Sequence, residues 1–145
     1  MKWTWAGLLA ALGLTMTGAP PTAVAGADPA SKKTGDGATT VIHHADVAAA
    51  QKLITEKKVS VLDLRTDAEF AGGHIAGAKQ LDFNAPDFKA KLAALDRDQP
   101  YLVHCASGGR STKALTTFKA LGFKNVTHLD GGFNAWKAAG KPVAR

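Results

Sequence analysis

Between residues 41 and 145 the sequence alternates between patterns that predict a β-strand and patterns that predict a helix. The strand candidates are short apolar or β-branched runs, at 41–43, 59–64, 79–83, 101–104 and 126–129. The helix candidates carry apolar residues at helical spacing, at 46–54, 86–95, 110–121 and 133–139. Strands that are separated by helices pair in parallel, so the alternation favours an α/β fold with helices on both faces of a parallel sheet.

Ligands bind to open sheets of this kind beyond the carboxyl ends of the strands. Three predicted strands carry unusual chemistry there, in the segments Asp63-Leu64-Arg65, His104-Cys105 and Asp130-Gly131-Gly132. We therefore expect the functional site at this edge of the sheet.

The segment after the strand at 101–104 is the most informative of the three, and we call it the cysteine loop. Its residues are Cys105, Ala106, Ser107, Gly108, Gly109, Arg110 and Ser111. Small side chains let the backbone curl tightly, so several N–H groups can point at one bound anion. The start of a helix adds partial positive charge and Arg110 adds a full one, so the sequence predicts a lowered pKa and a reactive thiol at Cys105. A buried, inert cysteine is the alternative, but it does not explain the glycines and the arginine that follow.

The first 25 residues are typical of a secretory signal peptide. Lys2 is followed by an uncharged, mostly apolar stretch at 3–16, and Ala23-Val24-Ala25 fits the small-x-small cleavage rule. The apolar stretch is shorter than the roughly 20 residues of a membrane span. We predict a signal peptide at 1–25, a flexible leader at 26–40 and a folded domain at 41–145, in a periplasmic or secreted protein with no membrane attachment after cleavage.

The composition of the chain excludes several kinds of site and partner. One cysteine among 145 residues excludes an internal disulfide and a cysteine-rich metal centre, and we expect neither a metal nor another cofactor. The net charge of +6 is not accompanied by an aromatic-basic motif, so we expect no nucleic-acid partner. His43 and His44 are neighbours on a predicted strand, and their side chains should diverge rather than bind one metal ion. Nothing indicates an obligate partner chain, so we expect a monomer.

Four segments carry a resemblance to a known family. They are VLDLR at 61–65, EFAGGHIAGA at 69–78, CASGGRS at 105–111 and LDGGFNAW at 129–136. In this order and at these separations the chain resembles a single-domain rhodanese, a sulfurtransferase of the rhodanese-like family, over about residues 41–140.

The resemblance implies a rhodanese-like five-stranded parallel sheet and a two-step sulfur transfer without a cofactor. In the first step the Cys105 thiolate takes the sulfane sulfur of a small donor, such as thiosulfate or a persulfide. In the second step the resulting Cys105 persulfide passes this sulfur to cyanide or to a thiol acceptor, which can lie on another protein. The resemblance also implies supporting roles for Asp63, Arg65, Glu69 and His74, with Arg65 paired to Glu69. His104 is expected on the opposite face of its strand from Cys105 and not as a general base.

Three other functions remain open. Cysteine phosphatases and arsenate reductases also use a His-Cys loop, typically with five residues between cysteine and arginine, whereas four separate Cys105 from Arg110. A non-catalytic rhodanese-like module that binds a partner is the second alternative. The third is a persulfide carrier whose acceptor is another protein.

Overall fold

The computed structural model describes residues 39–145. The predicted signal peptide and all but the last two residues of the predicted leader lie outside this range. Among the described residues, no helix is both long and apolar enough to cross a membrane.

The observed elements follow the predicted alternation. The strands are β1 (Val41–Ala45), β2 (Ser60–Asp63), β3 (His74–Ile75), β4 (Lys79–Gln80), β5 (Tyr101–His104), β6 (Asn125–Leu129) and β7 (Val143–Ala144). The helices are α1 (Val47–Thr55), α2 (Asp67–Ala71), α3 (Phe88–Ala93), α4 (Gly109–Ala120) and α5 (Gly132–Ala138). The main difference in length is the predicted strand at 79–83, of which only Lys79–Gln80 forms a regular ladder.

β5 lies at the centre of a parallel sheet with the strand order β1-β6-β5-β2-β4. In register, Leu62 of β2 pairs with Val103 of β5, and Val103 pairs with His128 of β6. Because all five strands point the same way, their carboxyl ends meet at one edge, where the cysteine loop begins. The predicted α/β fold with a five-stranded parallel sheet is confirmed.

Two apolar clusters lie on opposite sides of this sheet. One packs under α3 and α4 and includes Phe118 and Phe123, which are both fully buried. The other packs under α1 and α5 and includes Phe133 and Trp136. Burial of each large apolar side chain contributes about 1.5–3 kcal/mol to the stability of the fold. The two clusters therefore hold the sheet and the edge at which the site lies.

Two features of the fold were not predicted. The five-residue helix α2 begins at a capping box, in which Thr66 and Glu69 exchange hydrogen bonds between side chain and backbone. A helix this short gives no periodic apolar pattern, so it could not be recognised by periodicity. The second feature is the antiparallel pairing of β3 with β7, which brings together residues distant in the sequence.

Candidate active site

Cys105 lies immediately beyond the carboxyl end of β5 and is 1% exposed. Its Sγ accepts a hydrogen bond from the backbone N–H of Gly108 at 3.1 Å and lies 3.6 Å from the hydroxyl of Ser111. The backbone N–H groups of Ser107 and Ser111 also interact with the sulfur. Groups from Ser107, Gly108 and Ser111 of the cysteine loop therefore surround the Cys105 sulfur.

A left-handed glycine makes this loop possible. Gly108 has φ of +106°, a conformation that L side chains rarely adopt, and α4 begins at the next residue. Around it, Ser107 and Gly109 are exposed whereas Ser111 is buried. The sulfur thus sits at the floor of a loop whose outer rim is open to solvent.

The surroundings of Cys105 favour the thiolate. Burial is the largest influence on its pKa and raises it, because a charged sulfur loses its hydration. The hydrogen bonds from the backbone and side chain of Ser111 and from the N–H groups of Gly108 and Ser107 act in the opposite direction. Together they outweigh burial, so the pKa of the Cys105 thiol lies below its ordinary value. A lowered thiol pKa is what a nucleophilic cysteine requires near neutral pH.

Arg110 forms an ion pair with Glu69, which lies outside the cysteine loop. Its guanidinium binds the Glu69 carboxylate through two hydrogen bonds, both of 2.8 Å. This bidentate contact is the main reason that the pKa of Glu69 falls to about 2 and that the pKa of Arg110 is raised. Cys105 contributes a smaller part to the rise in the pKa of Arg110. Glu69 therefore neutralises much of the charge that the sequence assigned to the loop.

The predicted pair between Arg65 and Glu69 does not form. Arg65 is buried and binds Asp63 instead, with the Nη2 atom 2.6 Å from Oδ2. The same nitrogen donates to the carbonyl of Gly73 at 2.8 Å, and the guanidinium lies 3.9 Å from the centre of the Phe133 ring. Since Asp63 and Arg65 are two residues apart, they share one side of the chain, whereas Glu69 is directed to Arg110 by α2.

The two other candidate histidines lie away from the sulfur. His74 hydrogen-bonds to the carbonyl of Phe70 at 3.1 Å and stacks on the Phe70 ring, so it connects α2 to β3. His104 is fully buried and lies near Phe133 on the other side of the sheet, opposite the apolar cluster that contains Cys105. Burial is the main reason that the pKa of His104 is lowered. Neither residue is placed to take a proton from Cys105.

The start of α5 holds the cysteine loop from outside, a contact that was not predicted. The N–H of Phe133 donates to the carbonyl of Cys105 at 2.8 Å, and the N–H of Asn134 donates to that of Ala106 at 2.9 Å. Gly132, with φ of +59°, approaches so closely that a Cβ there would lie 2.5 Å from the Cys105 carbonyl oxygen. The adjacent glycines after β6 were the available sequence signal for this close approach.

A chain of hydrogen bonds starts at the Cys105 sulfur and runs along the α4 side of the sheet. The Ser111 hydroxyl lies 2.8 Å from Nε2 of His128, and Nδ1 of His128 lies 2.9 Å from Oδ1 of Asp130. Nδ1 of His44 lies 2.9 Å from the same oxygen. His128 was missed because its position depends on register: Val103 pairs with His128, so His128 and Cys105 fall on one face of the sheet.

His44, His128 and Asp130 also form the group closest to a metal-binding arrangement within residues 39–145. Their three donor atoms lie within 4.8 Å of one another. However, Asp130 Oδ1 already hydrogen-bonds to both rings, so the three side chains satisfy one another. His44 thus binds Asp130 and lies beside His128 on the neighbouring strand, so it forms no pair with His43.

The sequence is similar to that of a known protein family and of named relatives. The sequence profile of the rhodanese-like domain matches residues 46–139. Thiosulfate sulfurtransferase GlpE of Pseudomonas aeruginosa strain LESB58 is 38% identical over 86 residues, which are 59% of this chain and 76% of that protein. The protein of the same name from Stutzerimonas stutzeri strain A1501 is 41% identical over 78 residues, 53% of this chain and 69% of that one.

Solved structures show the same fold. A rhodanese-related protein from Thermoplasma volcanium superposes with a TM-score of 0.64 at 31% identity, covering 70% of this chain and 97% of that one. A Rhodopseudomonas palustris protein of unknown function, described as a possible tyrosine phosphatase, gives 0.59 at 27% identity, covering 71% and 85% of the two chains. Since the family profile spans most of the folded part of the sequence, the chain belongs to the rhodanese-like domain family.

Proposed function

We propose that this protein is a sulfurtransferase that moves a sulfane sulfur from thiosulfate or a related donor, through a persulfide on Cys105, to a thiol or cyanide. The observation that carries the proposal is the Cys105 sulfur at the floor of a loop whose N–H groups lower its pKa. The names of the relatives support the same class of reaction.

The reaction needs no oxidant or metal. The Cys105 thiolate attacks the sulfane sulfur of thiosulfate, a new S–S bond forms, and sulfite leaves with the electron pair of the bond that breaks. An acceptor thiolate then attacks the outer sulfur of the persulfide. The Cys105 thiolate leaves, and the acceptor carries the sulfur away as its own persulfide.

The charges around the loop bear on the donor. Ala106 and Ser107 are neutral, and Arg110 is held by Glu69, so backbone N–H groups provide most of the attraction for an anion. N–H groups stabilise a single negative charge on sulfur without requiring a second charge on the donor. We therefore propose that persulfides and other thiol-bound donors are accepted as well as thiosulfate.

The test is the mass of the reduced, purified protein before and after exposure to thiosulfate, a polysulfide and mercaptopyruvate. The wild-type protein should gain the mass of one sulfur atom with at least one donor, and cyanide should remove it. Cys105→Ser should gain nothing. If the wild-type protein gains no sulfur from any of these donors, the proposal is wrong and a partner-binding module becomes the better reading.

Turnover separates an enzyme from a carrier. Repeated thiocyanate formation from donor and cyanide supports the enzyme, whereas a persulfide that small acceptors cannot discharge supports a carrier with a protein acceptor. The phosphatase alternative is disfavoured by the four-residue spacing and by the bidentate Glu69 contact, which occupies the Arg110 guanidinium. Hydrolysis of p-nitrophenyl phosphate that is lost in Cys105→Ser would reverse that preference.

We also propose that the protein acts in the periplasm or outside the cell. The support is the signal-like sequence at 1–25. Cell fractionation followed by mass measurement checks this proposal, with a mature chain that starts near residue 26 as the expected result. Recovery of the full-length chain from the cytoplasm contradicts it.

A further inference from the structure

The Ser111 hydroxyl has one proton and three neighbouring acceptors. These are the Gly108 carbonyl at 3.0 Å, Nε2 of His128 at 2.8 Å and Sγ of Cys105 at 3.6 Å. The Gly108 carbonyl already accepts hydrogen bonds from the N–H and the hydroxyl of Thr112, at 2.9 and 2.8 Å, which use its two lone pairs. The Thr112 hydroxyl also lies 3.4 Å from Nε2 of His128, but its contact with the Gly108 carbonyl is the shorter one. The choice for Ser111 therefore lies between His128 and Cys105.

The state of His128 decides between these two. The pKa of Asp130 is lowered, first by its hydrogen bond to His44 and then by that to His128, so Asp130 is a carboxylate and can only accept. Nδ1 of His128 therefore carries a proton. If the ring is neutral, Nε2 accepts the Ser111 proton and Ser111 cannot donate to the sulfur. If the ring is protonated on both nitrogens, Nε2 donates to Ser111, which is then free to donate to Cys105.

We propose that Ser111, His128 and Asp130 form a proton relay that takes up the thiol proton of Cys105, with His128 as a positioning residue. The Cys105 S–H proton passes to the Ser111 oxygen while the original Ser111 proton passes to Nε2 of His128. An S–H and an O–H bond break, an O–H and an N–H bond form, and no group is oxidised or reduced. The products are a thiolate and an imidazolium, with the Ser111 hydroxyl donating back to the sulfur.

The charged and titratable groups around His128 lie on β1, on β5 and on the segment after β6. Asp130 is the anion that faces the ring, and His44 lies edge-on to it at 5.3 Å. His104 on β5 is electrostatically coupled to His128, but burial keeps its pKa lowered, so it adds no competing cation. The side chains of His44 and Asp130 are 59% and 55% exposed. The buried end of the relay is thus connected to solvent at its other end.

This inference rests on the proposed sulfur transfer and concerns both of its steps. Cys105 must be a thiolate when it attacks the donor and must leave as a thiolate when the acceptor takes the outer sulfur. The same imidazolium, acting through Ser111, stabilises the sulfur in both steps. The proton held by His128 thus stabilises the Cys105 thiolate in both half-reactions.

The test is the rate of alkylation of Cys105 by iodoacetamide from about pH 5 to pH 9, with a chelator present, because only the thiolate reacts. His128→Asn should lower the rate about tenfold near pH 6 and leave the plateau at high pH unchanged. Asp130→Asn should act in the same direction by about threefold, since it removes only the anchor of the ring. His43→Asn changes an exposed neighbour on the same strand as His44 and should match the wild type.

The relay also predicts that its members do not act independently. Ser111→Ala combined with His128→Asn should be no slower than the slower single variant, because either change breaks the chain. An unchanged pH profile in His128→Asn, or additive effects in the double variant, overturns the proposal. If His128→Asn shows no cooperative unfolding transition, Asp130→Asn decides, and a wild-type profile there rejects the relay. Persulfide formation by the same samples reports separately on the sulfur transfer.

Discussion

Two arginine–carboxylate pairs flank the cysteine loop, and they differ in depth. The side chains of Arg65 and Asp63 are 5% and 0% exposed, whereas those of Arg110 and Glu69 are 25% and 35% exposed. The inner pair connects through the Phe133 ring to the helix that holds the loop. The outer pair sets the charge beside the loop. The same chemistry thus serves stability inside and reactivity outside.

Breaking the inner pair should have the largest effect on stability. Asp63→Ala leaves the Arg65 charge buried without a partner, which costs about 3–5 kcal/mol. Urea unfolding should show this loss, and the matched change in the outer pair, Glu69→Ala, should cost much less. Similar losses in the two variants would contradict the contrast between the pairs.

The contact between α5 and the loop can be tested at one glycine. Gly132→Ala must accommodate a Cβ within 2.8 Å of the Ala106 carbonyl oxygen as well as a positive φ. We expect a loss of about 1–3 kcal/mol in stability together with slower alkylation of Cys105, because the loop must move.

Gly140→Ala is the control for this change. Gly140 has φ of +65° and nothing within 4 Å of an added Cβ, so it tests backbone strain without the close approach. Its alkylation rate should equal that of the wild type. If Gly132→Ala also keeps the wild-type rate, α5 does not shape the loop.

Arg110 should matter for turnover more than for folding. Arg110→Ala removes one charge beside the sulfur and should lower kcat/KM by about tenfold or more, the equivalent of one charge-assisted hydrogen bond. Its cost in stability should stay within about 1 kcal/mol, as for exposed ion pairs. Lys113→Ala removes the same charge from an exposed position on α4 and should change neither quantity. Equal turnover in the two variants would show that the Arg110 charge does not contribute to the reaction at the cysteine loop.

The two pairs also show what the sequence could and could not predict. The cysteine loop and the parallel α/β sheet follow from local patterns, because strand length, small residues and helix starts are written in neighbouring positions, whereas the count of five strands was implied by the family resemblance. The partner of Arg65 was misassigned because α2 directs Glu69 to Arg110, which the local pattern does not show. His128 was missed because its position depends on which strands lie side by side and in what register. Asp63 pairs in register with His104, and Val103 with His128, so one network forms on each side of the sheet. The adjacent glycines at 131 and 132 were visible, but their contact with the loop required the position of α5.

The smallest effect that we expect is a pH dependence of the outer pair. The pKa of Glu69 in the folded protein is about 2, below its ordinary value of 4.5, chiefly because of the Arg110 hydrogen bonds. A carboxyl whose folded pKa is lowered stabilises the protein above the unfolded value and loses that contribution as the pH falls.

Glu69→Gln removes the charge, and glutamine is also compatible with the capping box. The difference in unfolding free energy between wild type and Glu69→Gln should therefore be constant above about pH 5 and shrink between pH 4.5 and 2. Because the pair is partly exposed, this difference should remain below about 1 kcal/mol and decrease in high salt. A difference that stays constant down to pH 3 would mean that the Arg110 contact stabilises the loop through geometry and not through charge.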